Sequence, residues 1–144
     1  DRREFSLARD AATLLSLLLR QPVSRGYATT GALSGFIAVA AGAFGAHALK
    51  ARLSPDLLQV FETGARYQIY HAFALLAAAF VAGDGNRRPA LWAGRLFLAG
   101  TVLFSGSLYG LALTGITRFG LVTPFGGLAF LAGWLCLAVA VRRR

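Results

Sequence analysis

The chain has 144 residues, of which 56% are hydrophobic and 15% are charged, and its formal net charge is +9. With a mean hydropathy of +0.59, this composition indicates one compact membrane-compatible unit and argues against a soluble enzyme with an added anchor. The basic residues stand at the ends of apolar tracts without forming a basic stripe, which argues against nucleic-acid binding. A single cysteine, Cys136, excludes a disulfide framework and a cysteine metal site within the chain.

Residues 1–25 have the composition of a mitochondrial presequence, with five arginines and few acidic side chains. Their pattern predicts an amphipathic helix that ends at Pro22. Arg25-Gly26-Tyr27-Ala28 then resembles a mitochondrial cleavage pattern. Because the chain retains this stretch, we expect residues 1–28 to form an extension held by the membrane surface or, as we favour, by a neighbouring protein. The absence of methionine leads us to expect a further piece upstream.

Four long apolar tracts lie between charged residues, at 26–49, 67–83, 96–117 and 119–141. Each is about long enough to cross a hydrocarbon core of about 30 Å, the second one only together with its flanks. Residues 29–144 are therefore predicted to form an all-α, integral membrane bundle of four helices.

Small residues recur at helical spacing in three of these tracts, a pattern that lets neighbouring helices approach to backbone contact. Such stripes predict a tight antiparallel bundle with little interior space. The predicted helix-packing positions are Gly31, Gly35, Gly42, Gly45, Gly106, Gly110, Gly126 and Gly133.

The run 53–83 predicts one continuous helix around which the rest of the chain is organised. Ser54 is a good N-cap residue, and Pro55 suits the first helical position. Neither a further proline nor a double glycine interrupts the helix up to Gly83, and its 29 residues would span about 43 Å. The first half is amphipathic and carries Glu62 and Arg66 at the i,i+4 spacing of a helix-surface ion pair. We expect this half to lie at the membrane surface or against a partner, with a bend near Gly64.

The distribution of basic residues predicts the orientation of the chain. If both termini and the connection at 84–95 share one side, that side holds 11 basic residues against four on the other. This positive-inside bias places the termini in the cytoplasm or the mitochondrial matrix. The arginines expected to bind lipid head groups there, including cardiolipin phosphates, are Arg87, Arg88, Arg95 and Arg142.

Four motifs in order carry a family resemblance: GAFGAHAL at 42–49, FETGARYQIYHAFAL at 61–75, LFSGSLYGLALTG at 103–115 and TPFGGLAFLAGW at 123–134. They resemble the small membrane proteins grouped as domain of unknown function 423, which include the transmembrane protein 256-like proteins. The resemblance covers residues 29–141 and implies a four-helix membrane fold without an established reaction. The resemblance leaves out residues 1–28, so the N-terminal helix is expected to be an addition to the family fold.

The polar candidates for chemistry are His47, Glu62, Arg66, His71 and Tyr109. His47 and His71 could share one membrane face as a bis-histidine haem or metal site, or each could bond to a neighbouring helix. Glu62, Arg66 and His71 could form an acid–base set, but Ser105 and Ser107 are better explained as helix-packing residues than as nucleophiles. Charged residues are absent from the tract centres, which disfavours a carrier.

The sequence thus predicts a non-catalytic accessory subunit of a mitochondrial inner-membrane complex, with a respiratory-chain complex as the expected host. Its expected partners are other membrane subunits and phospholipid, and we expect neither a catalytic site nor a bound cofactor or metal. Two alternatives stay open: a stand-alone small carrier or channel, and an interfacial enzyme that uses Glu62 and His71.

Overall fold

The computed structural model describes residues 22–83 and 87–142, nearly all of which are helical. Four antiparallel helices follow one another. Helix α1 is Pro22–Phe44 and ends in a π-helical turn, Gly45–Leu49, and α2 is Pro55–Gly83. Helix α3 consists of Arg87–Gly100, then a π-helical turn at Thr101–Ser105, and then Gly106–Thr114. A short 3-10 turn, Thr117–Leu121, leads to helix α4, which is Thr123–Arg142. The prediction of an all-α, four-helix fold is confirmed.

Helix α1 starts earlier than the sequence pattern indicated. Pro22 begins this helix, as its fixed φ angle allows in a first turn, so the expected boundary at residue 28 falls inside α1. Tyr27 is buried against α3, and its hydroxyl group donates a hydrogen bond to the carbonyl oxygen of Leu91 at 3.0 Å. The cleavage-like motif is thus part of the bundle. The expected amphipathic helix lies in residues 1–21, outside the described residues.

Three helical segments are long and apolar enough to cross a membrane, namely Ser24–Leu49, Arg88–Thr114 and Thr117–Arg142. The protein is therefore a multi-pass integral membrane protein. The mean hydropathy of helix α2 is lower than that of these three segments, because α2 carries Arg66, Gln68 and His71 in its middle. It is nevertheless as long as the others and lies between α1 and α3, with its polar residues Gln68 and His71 buried.

Helix α2 is one uninterrupted element, as predicted, and its start is capped. The backbone N–H of Leu57 donates a hydrogen bond to Oγ of Ser54 at 3.3 Å, which confirms the predicted N-cap. Phe61 packs against Gly45 of α1 and lies 4.8 Å from Tyr109 of α3 between ring centroids. The first half of α2 therefore lies alongside α1 and α3 at the level of their membrane-crossing segments.

The glycines differ in how closely a neighbour approaches. A Cβ atom placed on Gly31 would lie 3.0 Å from the Ala72 carbonyl oxygen, and one placed on Gly133 would lie 2.7 Å from the Phe97 ring. The remaining predicted positions at which a Cβ atom would meet another segment within 4 Å are Gly35, Gly45, Gly110 and Gly126. Gly42 and Gly106 have nothing within 4 Å, because Gly42 lies in an open groove between α1 and α2 and Gly106 is exposed. The structure therefore assigns them no close contact inside the bundle.

Three further glycines permit close contacts that the stripes did not indicate. Gly64 lies beneath the ring of Tyr109, Gly94 beneath that of Tyr27 and Gly100 beneath that of Phe130. Each of them accommodates an aromatic side chain from another helix. Spacing alone could not have identified them, since a glycine that receives a ring need not repeat along one helix face.

We predict that Gly126→Ala destabilises the bundle whereas Gly106→Ala does not. At position 126 the new methyl group would overlap the backbone nitrogen and side chain of Phe104, and such overpacking costs about 1–3 kcal/mol. At position 106 it would meet open space and gain up to about 1 kcal/mol of helix propensity. Unfolding of both variants in detergent micelles measures the difference, and equal stability of the two would contradict this assignment of contacts.

Candidate functional site

The side chain of Gln68 joins three helices at one point in the interior. Its Nε2 group donates to the carbonyl oxygen of Ser34 in α1 at 3.2 Å, and its Oε1 atom accepts from the hydroxyl group of Tyr109 in α3 at 2.8 Å. All three residues lie within the membrane-compatible bundle, where unpaired polar atoms are costly. The network therefore ties α1 and α3 to α2 and fixes their register.

His71 of α2 has both ring nitrogens engaged. Nδ1 lies 2.8 Å from the carbonyl oxygen of Tyr67, which can only accept, so Nδ1 carries the proton. Nε2 is then the acceptor for the indole N–H of Trp134 in α4, at 3.3 Å. The ring is thus held as a neutral tautomer that bonds its own helix on one side and α4 on the other.

Aromatic rings from α3 and α4 enclose this histidine. The ring of Phe130 stacks on it with centroids 3.3 Å apart, and Phe97 lies 5.7 Å away at a tilt. Trp134 meets it edge-on at 6.2 Å. Neither ring nitrogen can bind a metal or accept a further proton unless one of the present hydrogen bonds breaks, so this geometry favours a packing role for His71.

The two histidines are not brought together. His47 is exposed in the last turn of α1, whereas His71 lies 16 residues, about 24 Å, from the start of α2 at that end of the bundle. Among residues 22–83 and 87–142 there is also no group of three or more His, Cys, Asp or Glu side chains that could hold a metal ion. The bis-histidine site that the sequence left open does not form.

Beside His71, a cleft opens between α2, α3 and α4 with a volume of about 510 Å³. We call it the aromatic cleft, because most of its walls are rings. Its lining residues are Tyr67, Tyr70, His71, Phe104, Gly127, Phe130, Leu131 and Trp134.

On another face of α2, Glu62 and Arg66 line a groove of about 320 Å³ between α2 and α1. Three of the other residues that line this Glu62–Arg66 groove are small, namely Ala38, Gly42 and Ala65, and the remaining two are Val39 and Ile69. Within the described parts of the chain, neither charged side chain has an ion-pair partner within 4.0 Å. The predicted i,i+4 pair is therefore open, with both charges available on the outer surface.

The proposed acid–base set is not assembled. Glu62 and His71 are nine residues apart, which places them about 180° apart around α2, and they line different cavities. Ser107 donates to the carbonyl oxygen of Phe104 at 2.9 Å and contacts the Thr123 hydroxyl group at 2.7 Å. Ser105 is buried, and its hydroxyl group has no hydrogen-bond partner in the described part of the chain. Neither serine is paired with a base that would activate it.

The arginines expected at lipid head groups occupy exposed positions. Arg88 begins the membrane-crossing segment of α3 and Arg142 ends α4, so both lie at the same end of the bundle. Arg95 is also exposed, with its Cζ atom 5.0 Å from the ring centroid of Trp92. For Arg87, the structure describes only the backbone, which forms the start of α3.

The bond from Trp134 of α4 to His71 confirms the alternative in which His71 bonds to a neighbouring helix, although the sequence did not identify Trp134 as its partner. The bonds of Gln68 to Ser34 and Tyr109 were not predicted. Gln68 stood in the sequence only as a neighbour of His71, and Trp134 as the last residue of a family motif. A polar side chain in the apolar part of a helix signals that it needs a partner, but it does not identify the helix that supplies one.

Comparison with known proteins yields one family. A family model described as "Protein of unknown function (DUF423)" matches residues 41–127. The UPF0382 membrane protein YwdK of Bacillus subtilis is 46% identical over 114 residues, covering 76% of this chain and 90% of that protein. The UPF0382 inner membrane protein YgdD of Escherichia coli is 46% identical over 115 residues, covering 78% of this chain and 86% of that protein. No solved structure matches.

We predict that Tyr109→Phe destabilises the bundle more than Tyr70→Phe does. The first change leaves the Gln68 carbonyl oxygen without its donor and should cost about 1 kcal/mol, as interhelical hydrogen bonds in membranes do. The second removes a hydroxyl group that has no partner in the described chain and should therefore not destabilise the bundle. Reversible unfolding in mixed micelles tests this, and a Tyr109→Phe variant as stable as the parent would contradict it.

Proposed function

The chain belongs to the DUF423 family of membrane proteins, and we propose that it is a non-catalytic structural subunit of a larger assembly in the mitochondrial inner membrane. A respiratory-chain complex is the expected host. The observation that carries this proposal is the open Glu62–Arg66 groove, because its charges lie beside a membrane-crossing segment and lack a partner within the described chain.

The depth of Arg66 makes its exposure costly in lipid. It lies 11 residues, about 16 Å, from the start of α2, beside Ala38 and Val39 of the segment Ser24–Leu49. Lysine and arginine near helix ends reach the head groups by snorkelling, but this distance from the end makes that relief poor. An exposed arginine at such depth is stabilised best by an acidic or carbonyl group from another protein segment.

The small residues of the groove permit close packing of a transmembrane helix. Ala38, Gly42 and Ala65 let a partner helix approach closely, and Gly42 makes no close contact inside the bundle. Glu62 and Arg66 offer one acceptor and one donor group to a complementary pair on that helix. We therefore assign the groove to another membrane subunit.

The interior of the bundle gives less support to the two alternatives. His71 has both nitrogens engaged and faces away from Glu62, so an acid–base pair would need a different arrangement of α2. At the same level, the rings of Phe97 and Phe130 pack against His71, whereas a carrier would need a polar path there.

The mitochondrial location rests on the N-terminal sequence and on the arginine distribution. Residues 1–25 contain five arginines in a presequence-like pattern, and 11 basic residues belong to the end that holds both termini in the predicted topology. Arg88, Arg95 and Arg142 are exposed and are proposed to bind cardiolipin phosphates at the matrix surface. The relatives compared above are bacterial membrane proteins, so the proposed mitochondrial location rests on this chain's own N-terminal sequence.

We predict that Arg66→Gln removes the protein from its assembly. Loss of one member of a buried interfacial charge pair costs about 2–5 kcal/mol, so the assembled fraction should fall at least about tenfold. Native gel electrophoresis of gently solubilised membranes measures that fraction. Arg118→Gln, in the exposed connection between α3 and α4, is the matched control and should co-migrate with the parent. Parent protein that runs alone or only as copies of itself would contradict the proposal, as would co-migration of Arg66→Gln.

We also predict that glutamine at Arg2, Arg3, Arg9 and Arg20 lowers import into isolated mitochondria, because presequence recognition depends on positive charge. Glutamine at residues 142–144 removes charge at the other terminus and should leave import unchanged. Protease protection after import reports the outcome. Equal import of both variants would contradict a targeting role for the N-terminal arginines.

A further inference from the structure

The aromatic cleft has the size and the walls of a small-molecule site. Its volume of about 510 Å³ lies within the usual range for such sites, and rings from three helices surround it. We propose that this cleft binds the head group of a lipid-soluble quinone. Flat walls of this kind suit a flat ligand, because aromatic rings pack best in offset or edge-on arrangements.

The position of the cleft restricts which molecules can reach it. Ile69 is the central residue of the 29-residue helix α2 and lies about 21 Å from either end. Tyr67 and Tyr70 are within two residues of it along the chain. The cleft therefore opens near the middle of the hydrocarbon core. Ester and phosphate groups of phospholipids lie at least about 15 Å from that plane. A ligand that forms hydrogen bonds at this depth must therefore be a molecule that dissolves in the hydrocarbon core.

The polar atoms of the cleft call for a hydrogen-bond acceptor. The side chains of Tyr67 and Tyr70 are partly exposed there, with rings 5.9 Å apart, and neither hydroxyl group has a partner among the described residues. A phenol group without a partner is costly in hydrocarbon. An acyl chain would leave both hydroxyl groups unsatisfied, whereas a quinone brings two carbonyl oxygens on a planar ring.

The walls are held in place before a ligand arrives. The indole N–H of Trp134 is bonded to His71, and the His71 ring is stacked on Phe130, so three of the lining side chains are fixed by contacts with one another. Gly127 leaves the space above Phe104 open, since a Cβ atom placed there would lie 3.9 Å from the Phe104 ring. Such preorganisation lowers the entropy lost on binding.

This proposal is independent of the assembly proposed above, because the aromatic cleft and the Glu62–Arg66 groove share no residue. The Arg66→Gln variant should therefore bind quinone like the parent. A failure of one proposal leaves the other unchanged.

Tryptophan fluorescence tests binding directly. The chain has two tryptophans, so Trp92→Phe leaves Trp134, which lines the cleft, as the reporter. Titration of this purified variant in micelles with a decyl-chain benzoquinone should give saturable quenching. Trp134→Phe leaves Trp92 as the reporter and should give only the linear quenching of quinone dissolved in the micelle. Short-chain phosphatidylcholine and decanol should not compete.

Two further variants test the site within the single-tryptophan background. Tyr67→Phe with Tyr70→Phe should raise the half-saturating concentration at least about tenfold, the effect of losing two hydrogen bonds. Gly127→Leu should abolish saturation by filling the cleft. A cooperative thermal unfolding transition is the control that each variant is folded. Three outcomes would overturn the proposal. They are linear quenching of Trp134 in the Trp92→Phe variant, an unchanged half-saturating concentration in the tyrosine variant, and competition by phosphatidylcholine equal to that of the quinone.

Discussion

The bundle depends on one constraint, which is that polar atoms within a membrane must find their partners in the protein. Helix α2 brings Gln68 and His71 into the middle of the membrane-compatible region, and the surrounding helices supply what these residues need. Ser34 and Tyr109 satisfy Gln68, while Trp134 satisfies His71. The most polar of the four helices is therefore flanked by two others, and the apolar surfaces of α1, α3 and α4 face outward.

The sequence was sufficient for the architecture because the relevant signals are strong and local. Charged residues separate apolar tracts of membrane length, and Ser54 with Pro55 marks the start of α2. The start of α1 was harder to place. Pro22 can end one helix or begin the next, and only the burial of Tyr27 against Leu91 shows that the turn after Pro22 belongs to the bundle.

The contacts between helices were predictable only in part, since they depend on rotation about each helix axis. Glycine spacing indicated Gly133 and Gly126 but also Gly106, which faces open space. The π-helical turn Thr101–Ser105 shifts the face of α3 in the middle of the helix, so one stripe could not describe both halves. The polar candidates had the same difficulty: their residue types were evident, but the opposite directions of Glu62 and His71 follow from their places on α2.

The π-helical turn in α3 also determines how the two halves of this helix are used. Before it, Phe97 faces His71 and Trp134, and after it, Tyr109 faces Gln68 and Phe61. A π turn accommodates about one more residue than an α-helical turn does. Relatives that lacked this residue would have the second half of α3 rotated by about 100°, with the tyrosine directed away from Gln68. A deletion at this point would therefore break the Tyr109–Gln68 hydrogen bond, even though it would leave α3 long enough to cross the membrane.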